Sequence, residues 1–140
     1  MIPAQPTVLD SSAVLACVLG EEGADFVVPL LPGAALAAPN FAEIATVALA
    51  RGFRDPLQLR QELTALGVTF ENTTAEQAGR AAAHIRMSRQ VKSDHGGRTL
   101  ALGDALCIAL GEHLHRPVVT ADTLWKELED RFTVPVHLIR

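Results

Sequence analysis

The sequence predicts an α/β domain, a mostly parallel sheet with helices packed on its faces. Three observations lead there. Short runs of β-branched and apolar residues recur at positions 7–9, 35–38, 68–70, 117–120 and 136–139. Between them lie longer segments whose apolar residues return with the period of a helix that buries one face. The two patterns alternate to the end, with no internal repeat and no low-complexity tract, as parallel strands joined by helical crossovers require.

Each element has a local reason. Thr7 to Leu9 is the first strand, and the Ser11-Ser12 pair after Asp10 is placed to cap a helix through Ala13, Val14, Leu15, Val18 and Leu19. Residues 22–31 are expected to be a second helix that Pro29 kinks or ends, with Pro32-Gly33 as a turn. A small strand at Ala35 to Ala38 leads through Pro39-Asn40 into the helix of FAEIATVALA, which stops at Gly52. Asp55-Pro56, an N-cap followed by proline, starts a helix carrying Leu57, Leu59, Leu63 and Leu66 and ending at Gly67. After a strand at Val68 to Phe70, Thr74 and Gln77 form a capping-box pattern for a helix reaching about Gln90. Ser93 to Arg98 reads as a loop. The helix of LALGDALCIAL, beginning near Leu100 or Ala101, runs to about His113. The strand Pro117 to Thr120 leads to Asp122, a polar helix with Trp125 and Leu128 follows, and Val136 to Ile139 is the last strand.

A chain of 140 residues with 49% hydrophobic content fits a single domain, residues 1–140, with a proper core. No apolar run approaches the roughly 20 residues of a membrane span, and MIPAQP lacks the basic start and apolar centre of a secretory signal. The expectation is a cytoplasmic protein with no membrane partner. Cys17 and Cys107 sit in apolar segments without CxxC or His/Cys spacing, so they are expected to be buried, reduced thiols and not zinc ligands. A net charge of −4 argues against coating nucleic acid by bulk electrostatics. The distribution is uneven. Residues 1–50 hold five acids and no Lys or Arg, whereas residues 51–98 hold eight bases and five acids.

Four acids stand out against this background. In an open parallel sheet, sites form outside the carboxyl ends of the strands. Asp10 follows the first strand directly and Asp122 follows the fourth, so parallel strands bring both to one edge. Asp104 opens the helix that precedes the fourth strand and therefore starts near the same edge. Glu43, the only charge in its apolar helix, lies about a turn in and within reach. Taken singly, Asp10 and Asp122 are also explained as turn or N-cap residues, and Asp104 as an anion at the positive end of a helix dipole. Taken together, clustered carboxylates repel one another, and a divalent cation removes the conflict. An all-oxygen set selects Mg²⁺ or Mn²⁺, and one or two such ions about 4 Å apart suit phosphodiester cleavage. Ser12 and Thr120 carry hydroxyls that can steady a ligand or water. Arg86, Arg89, Lys92 and Arg98, with His95, either contact phosphates or form a solvated helix face; few aromatics argue against base stacking as a source of nucleic-acid affinity.

The segments VLDSSAVLA, APNFAEIA, LALGDALCIAL and VVTADTLW, in this order and spacing, resemble a PIN-domain ribonuclease, more narrowly the VapC toxins of bacterial toxin-antitoxin pairs. The resemblance covers nearly the whole chain. It implies a three-layer α/β/α sandwich, with Asp10, Glu43, Asp104 and Asp122 as an acidic quartet binding Mg²⁺ or Mn²⁺. It further implies cleavage of RNA, often tRNA or ribosomal RNA, inhibition by a cognate antitoxin, and a homodimer. One departure is Ala101, where similar proteins often have Ser or Thr, weakening the helix cap without touching the quartet. A haloacid-dehalogenase phosphatase would need a second aspartate where Ser12 stands. A receiver domain lacks its acidic pair and late lysine here, and a dinucleotide enzyme would show GxGxxG in place of DSSAVLA. The alternatives left are a PIN-like domain that mainly binds or regulates a partner, and a PIN nuclease that is not a toxin.

Overall fold

The computed structural model describes residues 3, 5–53 and 55–140; part of the MIPAQP start and one base of the central stretch, Arg54, lie outside them. Five strands, β1 (Val8–Leu9), β2 (Ala35–Ala37), β3 (Thr69–Glu71), β4 (Val118–Thr120) and β5 (Val136–Leu138), form one sheet in the order β3-β2-β1-β4-β5. Every pairing is parallel, so the expected mostly parallel sheet is wholly parallel among the described residues. The chain builds outward from β1 to β2 and β3, then crosses back to β4 and β5. The switch in direction falls between β1 and β4, where Val8 pairs with Val118 and Leu9 with Val119.

The helices are α1 (Ser11–Leu19), α2 (Ala24–Val27), α3 (Ala38–Ala50), α4 (Pro56–Ala65), α5 (Ala75–Gln90), α6 (Leu102–Leu114) and α7 (Thr123–Glu127). Because strand side chains alternate, the sheet feeds two cores. Leu9, Leu36 and Val119 meet Ala13, Val14 and Ala16 of α1, Ile44 and Ala48 of α3, and Leu59 and Leu63 of α4 on one face. Val8, Ala35, Ala37, Val118 and Val136 meet Cys107, Ile108 and Leu110 of α6 and Trp125 of α7 on the other. The result is the three-layer sandwich. Helix α6 lies close on the sheet because Gly111 has no side chain; a Cβ there would stand 2.5 Å from Val118 Cγ1.

Four local expectations change. The helix expected over 22–31 is two short pieces, α2 and a 3-10 turn at Val28–Leu30, since Gly23 takes a left-handed φ of 99° and Pro29 lacks an amide hydrogen. The loop at 93–98 is largely a 3-10 turn, Lys92–His95, ending at left-handed Gly96. Asp10, rather than Ser11 or Ser12, is the N-cap residue of α1, and α3 starts at Ala38, ahead of the proline. Asp55 and Thr74 cap α4 and α5 as their sequence patterns require, accepting from the backbone of Gln58 and Gln77. Cys17 and Cys107 are free thiols, Cys107 buried and Cys17 half-buried.

At the far end of α6, Glu112 is a buried carboxylate, 3% exposed. It bonds His84 of α5 at 2.6 Å and accepts from the backbone and hydroxyl of Thr133 at 2.9 and 3.2 Å, with Arg80 at 3.8 Å. Burial alone would raise its pKa, but the His84 and Thr133 bonds outweigh it and hold Glu112 below the ordinary glutamate range. A lowered folded pKa contributes stability above the ordinary glutamate pKa that is lost as pH falls through the folded one. Glu112→Ala, which leaves these partners without their buried acceptor, is expected to destabilise the fold by about 3 kcal/mol in urea unfolding at neutral pH. It should also flatten the acid limb of the stability profile; an unchanged limb would sink this account.

Candidate active site

The carboxyl edge of the sheet carries the acids. Asp10 is the residue after β1 and only 3% exposed, and the β1–β4 register sets it against Thr120. Its Oδ2 accepts from Ser12 Oγ at 2.6 Å and from Thr120 Oγ1 at 2.9 Å. Ser12 Oγ in turn accepts from the backbone amide of Ala121 at 2.9 Å, and Thr120 Oγ1 from that of Asp122 at 3.1 Å. The two hydroxyls thus stitch the ends of β1 and β4 together beneath the edge. Although Asp10 occupies the N-cap position, its side chain makes no capping bond to α1, so the capping explanation does not account for it.

Asp104 is the third residue of α6. Ala101 has no side chain able to cap, but its backbone amide donates to Asp104 Oδ2 at 2.9 Å, which supplies half of a capping box. Asp122 caps α7 through Oδ1, accepting from the amide of Leu124 at 2.9 Å. Glu43, the lone charge of an apolar helix, faces out at the mouth of the site and is exposed. Its Oε1 accepts from Asn40 Nδ2 at 3.0 Å and Ser11 Oγ at 3.2 Å. A common pattern emerges: each carboxylate has one oxygen firmly held by the protein. The other accepts no side-chain bond from the described residues, apart from a long 3.4 Å contact between Ser11 Oγ and Asp10 Oδ1.

The acids feel one another. Asp104 is pushed up to about 7, first by burial and then by the charges of Asp10, Asp122 and Glu43, against the bond from Ala101. Burial also raises Asp10; Ser12 and Thr120 pull it down, and Glu43 adds to the rise. The thiol of Cys107 lies under the cluster and is pushed well up by burial and by Asp10, Asp104 and Glu43. The four sequence-predicted acids therefore share one electrostatic neighbourhood. Among the described residues, however, no three His, Cys, Asp or Glu side chains form an arrangement that would hold a metal ion as they stand. The donor chemistry fits a hard divalent cation: oxygen ligands only, one unengaged oxygen on most of them, and mutual repulsion that a cation relieves.

The basic residues divide. Arg86 and Arg89, with Ala82, Ile85 and Gln90, line an open groove of about 560 Å³ along α5. Arg98 is committed elsewhere: its guanidinium donates to His95 O at 3.0 Å, to Thr123 Oγ1 at 3.1 Å and to Glu127, which also pairs with His95 Nδ1 at 2.9 Å. It ties the loop before α6 to the first turn of α7, just beyond Asp122. Asn40, Ser11 and Gly103 were not marked by the sequence reading. Only the polar Asn40, three residues before Glu43 on an otherwise apolar turn, offered a signal.

A parallel sheet with carboxylates gathered over its switch point defines an α/β/α domain with an acidic edge. The PIN domain family matches residues 7–130, and the chain belongs to that family. No curated protein sequence matches it significantly. Among solved structures it is similar to a toxin-antitoxin complex from Klebsiella pneumoniae, with 17% identity, 96% of this chain and 98% of that chain covered, and a TM-score of 0.67. It is also similar to VapBC-1 from nontypeable Haemophilus influenzae, with 15% identity, coverages of 95% and 97%, and a TM-score of 0.59. At these identities the likeness is one of fold.

The raised pKa of Asp104 has a measurable sign. Between the ordinary aspartate value and about 7, the folded chain keeps a proton that the unfolded chain has released. Stability without divalent cation should therefore fall as pH rises through that window and level off above it. In chelator, the urea midpoint of the wild type is expected to drop across the window, and Asp104→Asn to remove most of that drop. Parallel profiles for the two proteins would refute the electrostatic assignment.

Proposed function

We propose that the chain is a metal-dependent endoribonuclease, the toxin of a toxin-antitoxin pair, using Asp10, Glu43, Asp104 and Asp122 as its acidic quartet. The observation that carries this reading is the gathering of the four carboxylates at one edge, where burial first and the charges of the other three second push Asp104 up to about 7. A carboxyl so placed without a counter-ion is a liability for the fold, and such sites are where function is to be sought. PIN membership and the two structural relatives, one named as a toxin-antitoxin complex and the other as VapBC-1, support the toxin reading and a cognate antitoxin as partner.

In this reading Mg²⁺ or Mn²⁺ is held by the unengaged oxygens of Asp10, Glu43, Asp104 and Asp122. When bound, it supplies charge neutralisation, an acidified water and stabilisation of the leaving oxygen in phosphodiester hydrolysis. The protein's own part is positional. Ser12 and Thr120 fix Asp10 by bonds to Oδ2, the α6 backbone fixes Asp104 and the α7 backbone fixes Asp122. Arg86, Arg89 and Lys92 give an RNA backbone a positive approach from α5 and the turn after it, whereas Arg98 serves by anchoring α7. tRNA or ribosomal RNA is the proposed substrate, a homodimer the proposed assembly and the cytoplasm the proposed location. No helix among the described residues is long and apolar enough to cross a membrane.

Purified protein should cut a structured RNA in Mg²⁺ or Mn²⁺ and not in chelator. Asp10→Asn should lower cleavage by at least about 100-fold, the scale of losing a charge on which a catalytic site depends, while remaining folded by circular dichroism. Expression should arrest growth, with relief by the product of a small neighbouring gene. Equal cleavage by wild type and Asp10→Asn would exclude this site, and RNA binding without cleavage would favour a binding or regulatory domain.

A further inference from the structure

Glu43 is the most exposed of the four acids. A glutamate on an open helix face ordinarily samples several rotamers, and fixing one costs side-chain entropy. Here it is fixed from three elements. Ser11 of α1 donates to Oε1 at 3.2 Å. Asn40 of α3 is fully buried, and its Nδ2 donates both to Glu43 Oε1 at 3.0 Å and to the backbone carbonyl of Gly103 on α6 at 3.1 Å. Two oxygen acceptors on one nitrogen set the orientation of the amide, and its Oδ1 has no partner among the described residues. The third element is an absence of side chain. A Cβ on Gly103 would stand 2.5 Å from Glu43 Oε1, 2.7 Å from Oε2 and 2.8 Å from Cδ. The carboxylate lies where any other residue would put its first carbon.

Glycine is a poor choice for a helix, and Gly103 is the second residue of α6 with no left-handed backbone to justify it. Close approach of Glu43 supplies the reason. We propose that Asn40 and Gly103 form a seat for the Glu43 carboxylate, making them positioning residues of the acidic site. The seat sets the spacing between two of the acids, because Gly103 immediately precedes Asp104 and Asn40 is three residues from Glu43. It also joins α3 to α6 at the point where both present a carboxylate. The functional consequence rests on the nuclease reading; the seat itself rests on geometry.

The decisive variant is Gly103→Ala. In an ordinary helix this change stabilises, and here the clash is with the far end of a flexible side chain, which can swing away. The expected result is a fold as stable as wild type or more so, with about 10- to 100-fold weaker Mn²⁺ binding by electron paramagnetic resonance and a similar loss in kcat, KM for RNA being little changed. Asn40→Ala should act in the same direction. In a Glu43→Ala background, Gly103→Ala should have no further effect on Mn²⁺ affinity or kcat, and should raise Tm by more than it does in the wild type, since the clash is gone. Wild-type Mn²⁺ affinity and kcat in Gly103→Ala would overturn the proposal. If the wild type neither binds Mn²⁺ nor cuts RNA, the nuclease reading falls and the Tm cycle decides the seat alone. A larger gain in the Glu43→Ala background supports it, and equal gains in both backgrounds overturn it.

Discussion

Repulsion among carboxylates gathered at one sheet edge is the constraint on which this structure turns. Parallel strands deliver their carboxyl ends to a common side, so an aspartate after β1 and another after β4 become neighbours by topology. Helices that begin at that side add Asp104 and Glu43. Burial then removes the water around Asp10 and Asp104, and the charges of neighbouring carboxylates add to the cost of ionising these two. Few arrangements are less favourable for a small domain, and the surrounding residues are best understood by how they contain it.

Containment is local and uses hydrogen bonds. The Ser12 and Thr120 hydroxyls both point at Asp10 and both accept a backbone amide from the β4 end, so the buried carboxylate is part of the joint between the two central strands. Strands of two or three residues could not fix that joint by their ladder alone. Packing on both faces completes the work. Helix α6 presses against β4 through Gly111, and α7 is held by its buried Trp125 from below and by the Arg98–Glu127 pair from the side.

Much of this is legible in the sequence itself. Five strand runs and seven helical segments declare themselves by period and by caps such as Asp55-Pro56 and Thr74 with Gln77, because those signals are local. The placing of Asp10, Asp104 and Asp122 at one edge followed from strand order plus the rule that sites lie at strand carboxyl ends. What stayed hidden depends on partners far apart in the chain. For Arg98 the sequence leaves a phosphate contact and a solvated face equally open, because its partner Glu127 lies 29 positions on. Asn40 and Gly103 are separated by 63 residues, and neither a buried amide nor a helical glycine announces its partner. Glu43 shows the converse: the lone charge of an apolar helix stands out in the sequence, and it lies exposed within reach of the same edge.

The division of labour between the two oxygens of each carboxylate reconciles two explanations that seemed to compete. Capping accounts for Asp122 and, through the amide of Ala101, for part of Asp104, but capping needs only one acceptor atom and no net charge. An amide of the same shape would serve it nearly as well. The charge and the second oxygen are surplus to capping, and at Asp104 the charge is unfavourable to folding, as its raised pKa makes plain. Secondary structure therefore explains where these side chains point. It does not explain why they are acids, and that excess of charge over structural need is the physical ground for the cation and phosphate proposed at this edge.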